Sequence, residues 1–315
     1  MKAVRIHEYG DNSVVRVEEI ERPRPGPGEL LVRVAAAAIN PVDAQVRDGK
    51  LAGMLHHSLP LTLGCDVAGT VEESGPGVTE FQAGDPVYAY LNLGRLGAFA
   101  DFTIVKVEEA AVAPKTLDEV HAAAVPVAVL TAWQALFDTA GLESGQTVLI
   151  HAASGGVGSM AVQLAKWKGC HVIGTASAVN REYLTALGAD EFIDYKKQRF
   201  EKEAKHVDVV LDGIGGDTQE RSFTVLKRGG FLVSLVSPPS EEKAAESGVR
   251  TAMVFVQPNG KRLAEVARMF EDGQLKTLVE TTLPLAEAAR GFAKNAKGGG
   301  RGKIVLKTEY LDEQR

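Results

Sequence analysis

Short apolar stretches broken by turn residues mark the first third of the chain. Ala3–Ile6, Val14–Glu18, Leu30–Ala35, Val67–Glu72 and Ala98–Val107 are each too short for a typical helix, and their composition predicts β-strands. Pro23-Arg-Pro-Gly-Pro-Gly28 and Ser74-Gly-Pro-Gly77 read as loops, because proline removes backbone donors and glycine admits positive φ. Tyr88 and Tyr90 fall in a run that alternates with Val87 and Ala89, and one of the two is expected to face solvent. From about Leu117 the pattern changes. Short buried strands, Thr147–Ile150, Val172–Thr175, Glu191–Ile193, Val207–Leu211 and Gly230–Val236, alternate with helical segments, and Met253–Val256 is expected as a sixth. Strands separated by helices predict right-handed crossovers and a parallel sheet. A helix over Gly260–Asp272 follows, and Leu278–Leu283 and Gly302–Lys307 are β in character again. Trp133, Phe137 and Trp167 sit at helical spacing and are expected in the core.

One segment carries chemistry directly. His151-Ala-Ala-Ser-Gly-Gly-Val-Gly158 follows the apolar strand Thr147–Ile150 and precedes a helical run expected to begin near Ser159. Its core, Ala153-Ser-Gly155-Gly-Val-Gly158, is G-x-G-x-x-G with alanine in first place. A backbone without Cβ atoms lets a pyrophosphate approach closely, and the amides of the helix start face its charge. The flanking strand and helix give this otherwise weak pattern its weight. Ser154, Gly155, Gly156, Val157 and Gly158 are the expected pyrophosphate contacts.

Composition narrows the function classes. The chain has 315 residues, 45% hydrophobic and 24% charged, an ordinary globular balance long enough for two domains. A net charge of −6 argues against a nucleic-acid surface. The first residues are charged throughout, unlike a secretory signal, and the most apolar window, Ala122–Phe137, is too short to span a bilayer. Two cysteines, Cys65 and Cys170, preclude a disulfide framework or a four-cysteine zinc lobe. The expectation is a cytoplasmic protein that binds neither nucleic acid nor membrane.

The second strand of the dinucleotide unit selects the cofactor. NAD-type sites place a carboxylate about 20 residues after the glycine turn, at that strand's end. This chain reads Thr175-Ala-Ser-Ala-Val-Asn-Arg181 there, without an acid. A 2′-phosphate would instead find donors at Ser177, Asn180 and Arg181, whose planar guanidinium suits phosphate. NADPH is the expected cofactor.

Taken together, these residues resemble the zinc-free quinone oxidoreductase (zeta-crystallin-like) branch of the medium-chain dehydrogenase/reductase superfamily. The resemblance runs over nearly the whole chain. It rests on Ile39-Asn-Pro-Val-Asp43 with Arg47-Asp-Gly49, Leu63-Gly-Cys-Asp-Val-Ala-Gly69, Gly84-Asp-Pro-Val87, Leu130-Thr-Ala-Trp133, the glycine turn and Gly302-Lys-Ile-Val-Leu306. It implies an α/β fold: a GroES-like β-barrel domain over residues 1–117, completed by 273–315, and a Rossmann doubly wound parallel sheet over 118–272. Substrate and nicotinamide would lie in the cleft between them. By resemblance Thr131 would bond the nicotinamide carboxamide, Tyr195 would lie near the adenosine phosphate and Asn40 beside the nicotinamide ribose. Ile214 and Leu235 would line the nicotinamide pocket. Relatives are often dimers, so a homodimer is implied too.

The departures from the zinc-dependent pattern bear on the reaction. Zinc-dependent relatives place a metal-ligand cysteine where this chain has Asn40, and Gly-His-Glu where it has Gly64-Cys65-Asp66. No metal is expected. Hydride transfer without a Lewis acid calls for an acceptor that delocalises charge onto its own oxygen, a quinone or an α,β-unsaturated carbonyl. Asn40 and Gln45 are the candidate hydrogen-bond donors to that oxygen. Asn40 also suits the N-cap of a helix that has Pro41 at its first position and Asp43 at its third. His151 reads as a hydrogen-bonded core group. Two other readings stand beside the reductase: an NADPH-binding sensing or structural protein without significant turnover, and a zinc alcohol dehydrogenase with unusual ligands.

Overall fold

The computed structural model describes residues 1–308. The chain divides into two compact units: Met1–Val127 with Gln257–Gly273 and the segment from Thr277 onward, and Ala128–Val256 with Gln274–Lys276.

The first unit is β-rich. Its strands are β1 (Lys2–Ile6), β2 (Arg16–Glu19), β3 (Glu29–Ile39), β4 (Leu61–Thr62), β5 (Asp66–Ser74), β6 (Pro86–Tyr90), β7 (Phe102–Lys106) and β8 (Ala110–Val112), joined late in the chain by β15 (Val279–Pro284) and β16 (Lys303–Lys307). The larger sheet runs β15-β16-β3-β5-β6-β8, with β7 also on β3, and β2-β1-β4 form a smaller one. Strand β3 is the hub. It is longer than the expected Leu30–Ala35 because Ala35–Ala38 continue it, all buried, and small side chains suit a strand paired on both edges. Register decides what meets at its end. Ala38 lies opposite Asp66 of β5 and Ile39 opposite Ile304 of β16, both antiparallel, so Asn40, Asp66 and Lys303 share one end of three neighbouring strands.

Among the described residues four α-helices belong to this unit: α1 (Pro41–Arg47), α2 (Glu119–Ala123), α9 (Gly260–Glu271) and α10 (Ala288–Ala296), while α3 (Pro126–Trp133) begins at its boundary. Tyr88 and Tyr90 are both buried, contrary to the expectation that one faces solvent. Residues two apart on a strand share a face, and that face is covered. The Tyr88 hydroxyl donates to Leu263 O of α9 at 2.6 Å, and α9, assigned from sequence to the other domain, groups with this unit.

The second unit is a six-stranded, wholly parallel sheet. Its strands are β9 (Thr147–Ile150), β10 (His171–Ala176), β11 (Glu191–Asp194), β12 (Val207–Asp212), β13 (Leu226–Ser234) and β14 (Arg250–Met253). Their order, β11-β10-β9-β12-β13-β14, is the 3-2-1-4-5-6 order of a Rossmann sheet. Helices α4 (Gly156–Trp167), α5 (Arg181–Ala186), α6 (Phe200–Glu203), α7 (Gly216–Ser222) and α8 (Glu241–Ser247) connect the strands. Leu149, Ile173, Ile193, Val210 and Leu232 pack into one core with Phe200 and Phe223, and strands clothed on both faces explain their continuous apolar runs. The sixth strand is Arg250–Met253 rather than Met253–Val256, because pairing begins with Arg250 opposite Phe231. Of the more apolar residues beyond it, Val254 still donates its amide to Ser234 O, and Phe255 is exposed. Trp167 is also exposed rather than core, leaning on Trp133 at the end of α4.

Candidate active site

In the second unit the expected cofactor residues gather at the carboxyl ends of consecutive parallel strands, the edge where such sheets bind ligands. After β9 the chain turns through Ala152, whose φ of 52° is left-handed, and Gly155 caps α4 in an extended conformation. Helix α4 begins at Gly156, three residues before the expected start near Ser159. The amides of Gly156, Val157 and Gly158 therefore open the helix, where no carbonyl stands one turn earlier to receive them. Gly158 has to lack a side chain, since a Cβ there would lie 2.3 Å from Ala152 O. This cradle of amides and bare backbone fits a pyrophosphate.

The loop after β10 holds Ser177, half-buried, and Arg181, exposed at the start of α5 with its guanidinium 4.4 Å from the centre of the Phe192 ring. Asn180 departs from the sequence reading. It is 2% exposed, and its Nδ2 donates to Ser154 Oγ at 3.1 Å and Ser177 Oγ at 3.2 Å. Asn180 therefore braces the glycine turn against the next loop instead of offering itself as a surface donor. Tyr195 follows β11 and is 54% exposed. Ile214 follows β12 and is 51% exposed on a turn built by Asp212, whose Oδ1 accepts from the amides of Ile214 at 3.0 Å and Gly215 at 2.9 Å. The other Asp212 oxygen accepts from Gln219 Nε2 and Ser234 Oγ. Leu235 follows β13, half-buried, with its amide on Asp212 O at 2.9 Å. Thr131 is buried on α3. Sequence reading missed Asp212, whose work of shaping the Ile214 turn depends on contacts from β13 and α7.

In the first unit the candidate catalytic residues lie in and beside a buried polar cluster. Asn40 is the N-cap residue of α1, and its backbone amide donates to Asp43 Oδ2 at 2.7 Å, the expected reach of the third-position acid back to the cap. Its side chain turns into the core: Nδ2 donates to Ala38 O at 3.2 Å and Asp66 Oδ2 at 2.9 Å, and Oδ1 accepts from Lys303 Nζ. Both amide hydrogens are engaged in these bonds, which leaves the expected donor role to a substrate oxygen without a spare hydrogen. Gln45 is half-buried on α1. Asp66 accepts from Val127 N at 2.7 Å on Oδ1, and from Asn40 Nδ2 at 2.9 Å and Lys303 Nζ at 3.1 Å on Oδ2. Burial pushes its carboxyl upward, and Lys303, Asn40 and the Val127 amide oppose that shift. Burial also raises the Cys65 thiol, with the nearby Asp43 and Asp66 charges adding to it. Asp43 is fully buried, its Oδ1 has no hydrogen-bond partner, and burial pushes its pKa up to about 7. Lys303 was not singled out from the sequence, although a lysine opening the apolar run Lys303-Ile-Val-Leu306 was there to be noticed.

Among the described residues no three His, Cys, Asp or Glu side chains converge as metal ligands. Asn40 Oδ1 and Asp66 Oδ2 both accept from the Lys303 ammonium.

Comparison with known proteins places the chain. The alcohol dehydrogenase GroES-like domain matches residues 26–115, and a domain described as zinc-binding dehydrogenase matches residues 187–306. The Mus musculus protein named NAD(P)H oxidoreductase RTN4IP1, mitochondrial, is 33% identical over 351 residues, covering 97% of this chain and 89% of that protein. The chloroplast envelope quinone oxidoreductase homolog of Arabidopsis thaliana is 32% identical over 323 residues, covering 97% of this chain and 98% of that protein. The chain belongs to the medium-chain dehydrogenase/reductase superfamily, in its quinone oxidoreductase branch. Among solved structures of this family, the quinone oxidoreductase from Coxiella burnetii superposes with a TM-score of 0.91 at 33% identity, covering 98% of this chain and 99% of that one. The first unit thus carries the family's GroES-like domain, the second is its Rossmann domain, and the protein is an oxidoreductase.

These relatives correct one expectation. A cytoplasmic location conflicts with names that place the mouse relative in mitochondria and the Arabidopsis relative at the chloroplast envelope. The reasoning fails because a charged opening and few cysteines speak only against secretion; they do not separate cytosol from organelle. No helix among the described residues is long and apolar enough to cross a membrane.

Proposed function

We propose that this oxidoreductase uses NADPH and, without zinc, transfers hydride to a quinone or an α,β-unsaturated carbonyl. The observation that carries the reading is the Lys303 ammonium seated on Asn40 Oδ1 and Asp66 Oδ2, Asn40 being the position where, by resemblance, zinc-dependent relatives place a metal-ligand cysteine. A site organised in this way favours acceptors whose own conjugation takes up the arriving charge. The Arabidopsis relative's name, a quinone oxidoreductase homolog, points the same way.

The choice of NADPH rests on the end of β10, which closes on Ala176 and runs into Ser177 without a carboxylate, and on Arg181, exposed at the start of α5. The mouse relative is named for NAD(P)H. In this reading the amides of Gly156, Val157 and Gly158 hold the pyrophosphate, with Ser154 and Gly155 shaping the approach. Ser177 and Arg181 take the 2′-phosphate, and Tyr195 covers the adenosine end. Thr131, Ile214 and Leu235 orient the nicotinamide. When bound, the reduced nicotinamide supplies the hydride. The chain contributes mainly by positioning, since holding reactants together removes much of the entropic part of the barrier. Gln45 is the candidate donor to the substrate oxygen, and Asn40, with its amide hydrogens engaged, shapes the pocket beside it.

Oxidation of NADPH with 1,2-naphthoquinone, 9,10-phenanthrenequinone and a series of 2-alkenals tests the proposal. Turnover with at least one class, undiminished after exhaustive chelation, is expected. NADPH binding with no turnover on any of them would sink the substrate assignment. Stoichiometric zinc that disappears in Cys65→Ala would sink the zinc-free chemistry.

A further inference from the structure

Gln219 ties together two loops that the sheet itself leaves apart. It sits on α7, 4% exposed, and its Nε2 donates to Asp212 Oδ2 at 2.9 Å, Ser234 Oγ at 3.0 Å, Ser237 O at 3.1 Å and Ser237 Oγ at 3.4 Å. Chemistry fixes which end of the amide faces them. A carboxylate and a backbone carbonyl only accept, and the single Ser234 hydroxyl hydrogen goes to Asp212 Oδ2 at 3.1 Å, so a nitrogen has to stand among them. Around the same hub, Ser234 Oγ accepts from Val236 N at 3.2 Å and Ser237 N at 3.4 Å, and Asp212 Oδ1 accepts from the Ile214 and Gly215 amides. One side chain thus joins the turn after β12 to the segment after β13.

Stability of the fold alone explains this poorly. Within the sheet β12 and β13 are already held in register, with Asp212 opposite Ser234, and the Leu235 amide adds its bond to Asp212 O. Gln219 reaches beyond the last of those bonds to Ser237, past the ends of both strands. What it holds there is apolar and open: Ile214 is 51% exposed and Val236 is 43% exposed. The two loops lie against each other, since a Cβ on Gly215 would sit 3.3 Å from Val236 Cγ1. Apolar side chains stabilise a fold in proportion to the area they bury, and these two leave much of theirs in water. Apolar groups held still at the carboxyl edge of a parallel sheet instead make a wall for a ligand. Every residue of this arrangement lies within Ala128–Val256.

We propose that Gln219 is a positioning residue for the nicotinamide end of the cofactor. The inference rests on the hydride-transfer reading above, in which Ile214 and Leu235 orient the nicotinamide. Gln219 acts through those loops rather than by touching the ring. It sets the spacing between the Ile214 turn and the Leu235–Ser237 segment, and with it the place and tilt at which the ring is held. Hydride transfer depends steeply on the distance and alignment of donor and acceptor carbons, and a displacement of about 1 Å can lower the rate on the order of 100-fold. The pyrophosphate cradle at the start of α4 and the loop after β10 are built by other contacts, among them the Asn180 bonds to Ser154 and Ser177. Loss of the Gln219 amide should therefore disturb one end of the bound cofactor and spare the other.

Two variants test this. Gln219→Met keeps the length of the side chain without its donors, and Gln219→Glu keeps its shape but turns acceptors toward Asp212 and Ser237 O. Each is compared with wild type for the dissociation constants of NADPH and of adenosine 2′,5′-bisphosphate, which lacks the nicotinamide. Single-turnover hydride transfer from saturating NADPH to 1,2-naphthoquinone is measured beside them. Both variants should bind the bisphosphate within about twofold of wild type, while hydride transfer falls about 10- to 100-fold, further in Gln219→Glu. A folded variant with wild-type hydride transfer overturns the inference and leaves the hydride-transfer reading intact. An equal loss of affinity for both ligands does the same, because Gln219 would then support the whole unit. Wild type that binds NADPH yet reduces no quinone or enal overturns the hydride-transfer reading, and the inference then stands or falls on amide exchange. In wild type labelled with 15N, NADPH should slow exchange of the Gln219 side-chain amide and of the Ile214 and Ser237 backbone amides about 10-fold or more, and the bisphosphate should not. Equal exchange with the two ligands overturns the inference, even where neither variant folds.

Discussion

Two buried titratable residues pull on stability in opposite directions as pH changes. The Ser222 hydroxyl donates to Thr218 O at 2.7 Å, so its oxygen has to accept from His151 Nε2 at 3.0 Å, which fixes the neutral Nε2–H tautomer. His151 Nδ1 then accepts from the Thr175 hydroxyl at 3.1 Å, and burial pushes the imidazole down to about 4. Below pH 6.5 the unfolded chain gains a proton there that the folded one refuses. Stability on this account falls from pH 6.5 down to about 4, by at most about 3 kcal/mol. Asp43 behaves in the opposite sense. Burial raises it to about 7, so the folded form keeps a proton the unfolded chain has released, and its contribution is lost as pH rises from about 4 to about 7. Urea midpoints across that range should show His151→Gln free of the acid-side loss and Asp43→Asn free of the loss on the other side. Curves parallel to wild type for both variants would refute the assignment. Arg181 belongs to the same scale. Its guanidinium lies over the Phe192 ring, an arrangement that leaves N–H donors at its edge for phosphate. Arg181→Ala should weaken NADPH by about 1.5–3 kcal/mol and leave NADH nearly unchanged. Equal losses for the two cofactors would show that Arg181 does not read the 2′-phosphate.

Among the elements, the turn between β9 and α4 stores strain at a residue the motif does not mark. Ala152, at φ 52°, precedes the alanine in the motif's first place. A left-handed alanine costs about 1–2 kcal/mol, and glycine returns part of that as chain entropy, so Ala152→Gly should stabilise by about 0.5–1 kcal/mol in chemical denaturation. Gly158→Ala should do the reverse, costing about 1–3 kcal/mol and dinucleotide affinity with it, because the added methyl meets the Ala152 carbonyl. No loss on Gly158→Ala would mean that the turn relaxes freely. This element was legible from sequence because everything that defines it is local: an apolar strand, a run of glycines, a helical period. The same locality made the other Rossmann strands readable, and it failed where pairing rather than propensity sets the ends, as at β14. Asn180 and Lys303 show the other limit. Asn180 looks like a surface donor until its amide is seen between Ser154 and Ser177, and Lys303 looks like the edge of a strand until register brings it to Asn40 and Asp66.

At the scale of the whole molecule, the two units differ in how they draw on the chain. The Rossmann unit comes almost entirely from one continuous stretch, Ala128–Val256, whereas the GroES-like unit is gathered from both ends. Strand β3 needs β16 on one edge, and β16 lies more than 260 residues further along, as the Asn40–Lys303 bond measures. The order in which a ribosome delivers the sequence therefore runs against the order in which the sheet can close. Strand β3 cannot gain its β16 edge until Lys303–Lys307 have emerged, while the stretch Ala128–Val256 has emerged earlier. A ribosome-arrested chain whose emerged part ends at Ala296 should give a protease-resistant core from Ala128–Val256 alongside a readily cleaved first unit, and emergence through Thr308 should protect both. Full resistance of the first unit in the shorter chain would show that β3 does not wait. In a cell, the buried cluster of Asn40, Asp66 and Lys303 would thus be assembled last, after the Rossmann unit has formed.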